Sequence, residues 1–317
     1  MNTFTTLIAF LAIAGFVILM PRLVSQQPQT PFCVGILQTA SHPALNAARQ
    51  GFIDTLKASL QDRIAFVERN AQGSLVDAHT LATHLHADTS LSALCALGSP
   101  ALQALASTNS TRPLVFAAVT DPQAVGIRAD HPSITGVCDM INVKQQVAVL
   151  NQLVPQAKTV AILSNAAEIN SRTMADAQQE QLKHIGKTVL RYSVTHEGEL
   201  LPALERALEH ADAILCPLDN TIACASALVA QKARTAKKPL IVSDIMLLSD
   251  GALAAIGVDY YAQGCAAAQL MLELLLNGKT TAQLPIVRTS KSMVKTNSET
   301  AALLSISLEH LTSKGVS

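Results

Sequence analysis

Tryptophan is absent from the 317-residue chain, and aromatic residues make up only 3% of it. The hydrophobic core must therefore be built from Ala, Leu, Val and Ile, which favours an alanine-rich α/β protein over an all-β binding module. Charged residues are also scarce at 15%, while 49% of the chain is apolar, so the composition excludes intrinsic disorder. Basic and acidic residues both number 23. This balance offers no electrostatic attraction for nucleic acid or an anionic membrane.

Familiar catalytic and metal-binding patterns are missing as well. GxxxxGK[ST], GxGxxG and GxSxG do not occur, which argues against nucleotide handling and an α/β-hydrolase nucleophile. His79, His84 and His86 suggest a metal cluster at first sight. However, His84 lies off the helical face that the other two share, and no cysteine donor is near. A solvated helix face is the favoured interpretation, and we expect neither a metal nor a cofactor.

The six cysteines are too few, in a chain this long, to form a disulfide scaffold. None belongs to a CxxC pair, and most lie in or beside apolar strand-like runs, where a free cysteine behaves as a small buried hydrophobe. A bridge between Cys33 and Cys95 is conceivable, because their predicted strands are neighbours in a parallel sheet. Their redox state stays open at this stage.

The first 21 residues carry no charge, and residues 7–20 are apolar throughout apart from Gly15. A helix from residue 4 reaches about 25 Å, just short of the ~30 Å hydrocarbon core. Residues 1–30 are therefore predicted to be a signal peptide or an N-terminal membrane anchor followed by a polar linker. The start lacks Lys and Arg, and no clear cleavage site follows, so cleavage stays open. A buried helix of the fold is the weaker alternative, and we expect an exported protein.

From residue 32 onwards, short apolar runs alternate with longer amphipathic ones. The predicted strands cover residues 32–37, 64–68, 93–97, 114–119, 134–137, 160–163, 188–193, 213–216, 240–242 and 253–256. Such alternation indicates parallel sheets built from βαβ units. It is interrupted between about residues 126 and 158. The break favours two doubly wound lobes, each a three-layer α/β/α sandwich, over a closed eight-fold barrel.

Polar residues follow the predicted strands at their carboxyl ends, where open α/β sheets bind ligands because helix N-termini present unpaired N–H groups there. These exits include Gln38, His42, Ser99, Thr120, Asp121, Asp219, Asn220 and Asp244. They carry no Lys or Arg. Hydroxyls and helix N-termini suit a carboxylate and Asp suits an ammonium, so the set indicates a small zwitterion or a polyhydroxy compound. Each residue alone is more simply a helix cap or a turn; the group points to a ligand.

Seven short stretches occur in an order and spacing that is typical of one family. They are VGILQTASHPALNAARQGF (34–52), RNAQG (69–73), GSPALQALA (98–106), VFAAVTDP (115–122), ITGVCDM (134–140), CPLDNTIA (216–223) and GALAAIGVDYYAQG (251–264). Through them the chain resembles the substrate-binding proteins of ABC transporters, in the type I periplasmic-binding-fold group that includes tryptophan- and tyrosine-binding members. It departs from that group at Ser99, where Thr is usual, and at residues 164–168 (SNAAE), where an Asn-Pro-Ser-Glu loop is usual.

The resemblance implies two lobes joined by a three-strand hinge, with the ligand in the cleft between them. Lobe one is predicted to comprise residues 31–140 with 250–286, and lobe two residues 142–243 with 290–317. Crossings are expected near 139–142, 243–249 and 287–295. The ligand-facing positions that the resemblance implies are Ser99, Thr120, Asp121, Asn170, Ser171, Asp219, Asn220 and Asp244, with Tyr260 and Tyr261 close to the cleft. Gln38 and His42, from the first strand exit, complete the predicted ligand-binding set.

The expected function is therefore that of an extracytoplasmic solute-binding protein, at the periplasm or the outer face of the cytoplasmic membrane. It is expected to act as a monomer, to perform no chemistry and to deliver its ligand to an ABC permease driven by a separate ATPase. Sugar binders often stack rings on Trp, so an amino acid is favoured, and the resemblance suggests an aromatic one.

Three other functions were weighed. A membrane-tethered sensory domain of the same fold is the main alternative, although no cytoplasmic signalling segment is recognisable. A racemase using two opposed cysteines, such as Cys95 and Cys216, is remote because both lie inside strands, away from the exits where a thiolate ionises. A transcriptional regulator needs DNA-binding helices where this chain has an uncharged apolar segment.

Overall fold

The computed structural model describes residues 31–128, 131–288 and 292–312; the predicted export segment at residues 1–30 lies outside them. The strands are β1 (Phe32–Gln38), β2 (Ile64–Asn70), β3 (Ala93–Leu97), β4 (Leu114–Val119), β5 (Ile134–Cys138), β6 (Thr159–Asn165), β7 (Thr188–Val194), β8 (Ala213–Leu215), β9 (Leu240–Val242), β10 (Ala254–Gly257), β11 (Val287–Arg288) and β12 (Met293–Thr296). Every strand expected from the apolar runs coincides with an observed one. The short β11 and β12 were not predicted.

Helices fill the intervals between the strands. They are α1 (Pro43–Leu60), α2 (Leu75–Ala87), α3 (Ser99–Ser107), α4 (Val143–Leu153), α5 (Ile169–His184), α6 (Leu200–His210), α7 (Asn220–Cys224), α8 (Ser226–Thr235), α9 (Tyr260–Leu276), α10 (Ser298–Leu303) and α11 (Glu309–Thr312). Short 3-10 helices lie at Gln61–Arg63, Glu197–Glu199, Ile245–Asp250 and Thr281–Gln283. Among the described helices, none combines the length and the apolar character that crossing a bilayer requires.

The strands form two six-stranded sheets. The first has the order β11-β5-β4-β3-β1-β2 and its pairs are parallel; the second has the order β12-β10-β9-β8-β6-β7, with β12 antiparallel to β10. Both orders double back on themselves, which is the doubly wound arrangement. The predicted fold class of two α/β/α lobes is thereby confirmed. Below, the first lobe means the first sheet with α1, α2, α3 and α9, and the second lobe means the second sheet with α4–α8.

Alternate residues of the central strands pack against helices on opposite faces of each sheet, as the two-residue period of a strand requires. In β1, Val34 and Ile36 join a buried cluster with Phe52 of α1, whereas Leu37 joins another cluster with Leu85 of α2 and Leu102 of α3. The second sheet repeats the pattern. There, Ile162 packs with α5 residues such as Met174 and Leu182, and Leu163 packs with Leu204 and Val229. Each sheet is therefore covered on both faces, and its strand ends are left to form a site.

One predicted boundary is wrong. Residues 250–286 were all placed with lobe one, yet β10 (Ala254–Gly257) pairs with β9 and β12 in the second sheet. The segment near 243–249, expected to be a crossing, instead contributes to the 3-10 helix Ile245–Asp250 and leads back into the same sheet. The chain leaves the second sheet only between β10 and α9. The remaining lobe boundaries stay predictions.

Helices α1 and α9 of the first lobe cross where two glycines face each other's backbone. A Cβ on Gly264 would lie 1.9 Å from Ala48 O, and one on Gly51 would lie 2.2 Å from Tyr261 O. Backbone atoms cannot move aside as a flexible side chain can. The close approach therefore requires glycine at both positions and seats the first turn of α9, which begins at Tyr260.

We expect Gly264→Ala to destabilise the protein by about 2 kcal/mol or more, because it forces two helix backbones apart. A loss of stability would be informative, because alanine in a helix interior is otherwise favoured over glycine by roughly 0.5–1 kcal/mol. Thermal or urea denaturation measures the difference. A variant as stable as the parent would show that the helices separate at little cost.

Candidate functional site

A cavity lies between the two lobes, at the carboxyl ends of their central strands. It encloses about 420 Å³ of space free of protein atoms, including the part that opens to solvent. The first lobe contributes His42, Leu45, Gly98, Ser99, Ala118, Thr120, Asp139 and Tyr260. The second lobe contributes Asn170, Pro217, Leu218, Asp219, Asn220, Ala223, Asp244 and Leu247.

The turn that begins α3 forms one wall of the cavity. Gly98 has a φ of 92°, a conformation that glycine adopts without strain. The Thr39 hydroxyl donates to Leu97 O at 3.0 Å and accepts from Ala101 N at 3.1 Å, so it holds the turn in place. Ser99 Oγ accepts a long hydrogen bond from Thr120 N, 3.4 Å away. The Ser99 hydroxyl and the N-terminus of α3 therefore lie in this wall.

The end of β4 has an irregular backbone where it reaches the cavity. Ala118 has a φ of 56°, in the left-handed region that non-glycine residues rarely occupy, and the pairing of β4 with β5 shifts register beside it. Gln263 of α9 secures this segment: its Oε1 accepts from Ala118 N at 3.3 Å, and its Nε2 donates to Cys138 O at 2.9 Å. Such local strain persists only where surrounding contacts enforce it, and it is frequent at binding sites.

Asp139 follows β5 and is the buried carboxyl group of the first lobe's wall. Tyr260 Oη donates to its Oδ2 at 3.0 Å, whereas its Oδ1 is buried and has no hydrogen-bond partner among the described residues. Burial raises the pKa of Asp139 to about 6, although hydrogen bonds from Thr120 and Tyr260 act in the opposite direction. An unpaired buried carboxyl oxygen is costly unless a donor reaches it.

Two further aspartates face the cavity from the second lobe. Asp219 caps α7: its Oδ1 accepts from Ile222 N at 2.9 Å, and its Oδ2 accepts from Asn165 N and Ser171 Oγ, both at 2.6 Å. Burial raises its pKa to about 7, and the nearby charge of Glu168 adds to this. Asp244 Oδ1 accepts from Met246 N at 2.8 Å, and burial raises the pKa of Asp244 to about 7.

A side-chain hydrogen bond between His42 and Asn220 joins the two lobes. His42 Nε2 lies 3.1 Å from Asn220 Oδ1, and both side chains are buried. The other ring nitrogen, His42 Nδ1, is buried and has no partner in the described residues. Burial lowers the pKa of His42, although the Asn220 bond and the charge of Glu168 oppose that effect. The lobes are thus in contact at the rim of the cavity.

Most of the predicted ligand-binding residues line this one cavity. They are His42, Ser99, Thr120, Asn170, Asp219, Asn220, Asp244 and Tyr260. Gln38, Asp121 and Ser171 are not among the lining residues. Gln38 binds Ala40 O and Asn46 Oδ1, Asp121 accepts from Gln123 N, and Ser171 supports Asp219. Their polar atoms form hydrogen bonds with nearby residues. These residues therefore lie beside strand ends without lining the cavity.

Sequence reasoning missed Asp139 and the apolar part of the wall. Asp139 falls in the ITGVCDM stretch directly after β5, which was a usable signal, but that segment was interpreted as a crossing between lobes. Leu45, Leu218, Ala223 and Leu247 line the cavity as well. Apolar residues of this kind cannot be told from core residues by pattern alone. Tyr261, expected near the cleft, is 46% exposed and donates to Asp54 instead.

The chemistry of the lining is one-sided. The described residues that line the cavity include three aspartates and no Lys or Arg. Buried side-chain atoms without partners in the described residues include three acceptors here, Asp139 Oδ1, Asn170 Oδ1 and, when neutral, His42 Nδ1. Such a site suits a ligand group with several N–H donors and positive charge. The hydroxyl of Ser99 suits an acceptor, and the leucines suit an apolar part.

The cysteines form no disulfide within the described residues. Cys95 and Cys216 are fully buried inside or beside strands, and burial raises the pKa of both thiols. Cys33 and Cys95 are not bridged. No group of three or more His, Cys, Asp or Glu side chains within the described ranges is arranged to hold a metal ion.

Comparisons with known proteins agree with this geometry. A family model described as ABC transporter substrate binding protein matches residues 33–314. A tyrosine-binding protein from Clostridioides difficile is 27% identical over 278 residues, which is 86% of this chain and 80% of that protein.

Two solved structures are informative about the arrangement of the lobes. An ABC domain from Streptococcus pneumonia in complex with L-Trp is 28% identical, with a TM-score of 0.85 over 90% of this chain and 99% of that one. A ligand-free, open substrate binding protein with adhesive properties from Clostridium difficile is 25% identical, with a TM-score of 0.65 over 87% and 95%. The whole-chain superposition is therefore better on the tryptophan complex than on the open form.

Proposed function

Since this chain belongs to the family of ABC transporter substrate-binding proteins, whose members are solute-binding proteins and not enzymes, we propose that it captures an amino acid between its lobes. The observation that supports this most strongly is the buried Oδ1 of Asp139, which has no partner among the described residues and lies in a cavity that also holds hydroxyl groups and an apolar wall. A zwitterion with an apolar side chain complements all three. The relatives named for tyrosine and tryptophan favour an aromatic side chain.

Each part of such a ligand has a matching surface. The ammonium is assigned to Asp139 Oδ1, with Asp244 nearby as a second acidic group in the same lining. The carboxylate is assigned to the hydroxyl of Ser99 and to the N-terminus of α3. The side chain is assigned to Leu45, Leu218, Ala223 and Leu247. The predicted ligand role of Asp219 changes accordingly: its oxygens already accept three donors, so it supports the wall.

In the cell, we propose that the liganded protein docks on a membrane permease that a separate ATPase drives, and that it acts as a monomer outside the cytoplasmic membrane. Residues 1–30 are proposed to direct export, as a cleaved signal or as an anchor. Closure of the lobes removes the ligand from water, which strengthens each charge-assisted hydrogen bond. The permease then receives the ligand unchanged.

The test is a thermal-shift screen of the full chain against the twenty amino acids, then sugars, nucleosides and small peptides. We expect L-tryptophan or L-tyrosine to raise the melting temperature, since a ligand that binds only the native state adds about 2.7 kcal/mol at a hundredfold excess over Kd. Recovery of the ligand unchanged checks that no conversion occurs. No response to any amino acid would contradict the proposal and favour a tethered sensor with a different ligand.

A further inference from the structure

We propose that Glu168, through Asn220, fixes the tautomer of His42 and so makes His42 Nδ1 an acceptor for an N–H group of the ligand. Glu168 is then a positioning residue and His42 a ligand-binding residue that selects for donors. This inference rests on the proposed function, because it concerns how the same cavity recognises an amino acid. It depends on three steps of hydrogen-bond geometry, each carried by contacts in the structure.

First, the Glu168 carboxylate is surrounded by donors. Its Oε2 accepts from Asn170 Nδ2 at 3.2 Å, from Asn220 N at 3.0 Å and from Asn220 Nδ2 at 2.5 Å. Its Oε1 accepts from Thr221 N at 3.1 Å and from Thr221 Oγ1 at 3.0 Å. Glu168 is only 6% exposed, so water does not replace these partners. A carboxylate in this setting has only acceptor atoms to offer.

Second, the carboxylate decides which way the Asn220 side chain points. An asparagine amide has a donor end and an acceptor end, and the two are told apart by their partners. Because Glu168 Oε2 can only accept, the atom facing it must be Asn220 Nδ2. The opposite end, Asn220 Oδ1, is thereby directed across the cleft at His42. The orientation is imposed from within the second lobe.

Third, the amide oxygen decides where His42 carries its proton. Asn220 Oδ1 accepts only, so His42 Nε2, 3.1 Å away, must donate. In the neutral ring the other nitrogen then has a lone pair and no proton. That nitrogen, Nδ1, is buried and unpartnered in the described residues, and His42 lines the cavity. Burial lowers the pKa of His42, which keeps the ring neutral near pH 7.

The consequence is a recognition element that exists only while the lobes touch. Glu168 and Asn220 belong to the second lobe and His42 to the first, so the proton position is set across the cleft. A ligand that presents an N–H at Nδ1 is accepted in the closed form. One that presents a carboxylate or carbonyl there faces a lone pair and is rejected. The closure of the two lobes therefore also selects the ligand.

The experiment reads the proton directly. Full chain labelled with ¹⁵N-histidine is saturated with L-tryptophan, and the ¹⁵N spectrum of the imidazole ring assigns the tautomer; the signal missing from a His42→Gln variant identifies His42. We expect the proton on Nε2 in the parent. In Glu168→Gln the amide can present either end to Asn220, so we expect a proton on Nδ1 or a mixture. Glu205→Gln, an exposed carboxyl of the same lobe paired with Lys232, is the matched control and should leave the tautomer unchanged.

Affinity is the second readout. Calorimetry with L-tryptophan should show Kd weakened about 10- to 100-fold in Glu168→Gln, the effect of losing one hydrogen bond to a charged donor, and no change in Glu205→Gln. If Glu168→Gln does not fold, His42→Gln decides: its amide can still reach Asn220 but provides no acceptor at Nδ1, so the same weakening is expected. Unchanged affinity in His42→Gln would overturn the proposal.

The outcomes separate this inference from the proposed function. If the parent binds L-tryptophan but carries the His42 proton on Nδ1, or if Glu168→Gln leaves both tautomer and affinity unchanged, the inference is overturned and the function stands. If no amino acid binds the parent, the function fails. In that case the inference, which rests on the proposed function, is overturned with it.

Discussion

Asp139→Asn is expected to weaken amino-acid binding about 30- to 3,000-fold, the consequence of removing one partner of a buried, hydrogen-bonded charge pair at roughly 2–5 kcal/mol. The variant keeps the size of the side chain and an oxygen that can accept from Tyr260. What it loses is the charge of the one carboxyl in the cavity whose Oδ1 has no partner among the described residues. Isothermal titration calorimetry with L-tryptophan and L-tyrosine measures the change.

Asp121→Asn is the matched control for this variant. Asp121 follows β4, the strand next to β5, but it accepts from Gln123 N and is not among the described residues that line the cavity, so its replacement should leave Kd unchanged. The stability of Asp139→Asn distinguishes a binding role from a structural one. Because burial raises the pKa of Asp139, its charge is unfavourable in the ligand-free fold, and the variant should melt no lower than the parent near pH 7. Parental affinity in Asp139→Asn would place the ammonium elsewhere, with Asp244 the next candidate.

The second large effect concerns pH: affinity for an amino acid should increase at least about tenfold between pH 5.5 and pH 7.5. Burial raises the pKa of Asp139 to about 6 and the pKa values of Asp219 and Asp244 to about 7. The ligand-free protein therefore holds protons in this range. An ammonium beside the carboxyls favours their ionised forms, so binding releases protons and becomes stronger as pH rises. Calorimetry at pH 6.5 in two buffers of different ionisation enthalpy counts the protons released.

The stability of the ligand-free protein should move in the opposite direction. A carboxyl whose folded pKa is raised binds a proton in the folded state that the unfolded chain has already lost. Its favourable contribution is present at low pH and disappears as pH rises from about 4 through 6 to 7. The lowered pKa of His42 opposes this, because it removes stability below the ordinary histidine value of 6.5. This opposing effect comes from one group, whereas three aspartates contribute to the loss of stability with rising pH. Melting temperatures that stay flat from pH 5 to 8 would contradict this picture.

The strands and the two-lobed fold were predictable because their signal is local. Runs such as FCVGIL at residues 32–37 and LVFAAV at 114–119 are buried strands, and the helices between them leave little choice but parallel pairing. The sheet to which a strand belongs is not a local property. The stretch GALAAIG (251–257), which contains β10, fits a strand of either sheet equally well. Only the pairing of β10 with β9 and β12 places it in the second sheet.

The site was likewise predictable only where its signal is local. Polar residues at strand ends identified most of the cavity wall, but adjacent polar residues such as Thr120 and Asp121 look alike in sequence and only one of them lines it. Asp139 is buried by Tyr260, which lies 121 positions later in the chain. The donors around Glu168 include Asn220 and Thr221, more than fifty positions away. Roles that are set by contacts at such separations do not show in a local pattern.

The contact between α1 and α9 also has a consequence for biosynthesis. Helix α1 ends at Leu60, whereas the helix that covers it, α9, begins about 200 residues later, at Tyr260. A nascent chain therefore exposes the glycine-bearing face of α1 until α9 has been made. The first lobe cannot complete its core before then, and this large sequence separation makes its assembly slow. A chain that stays incompletely folded over so long a stretch of synthesis is one that a translocation channel for unfolded polypeptides can accept.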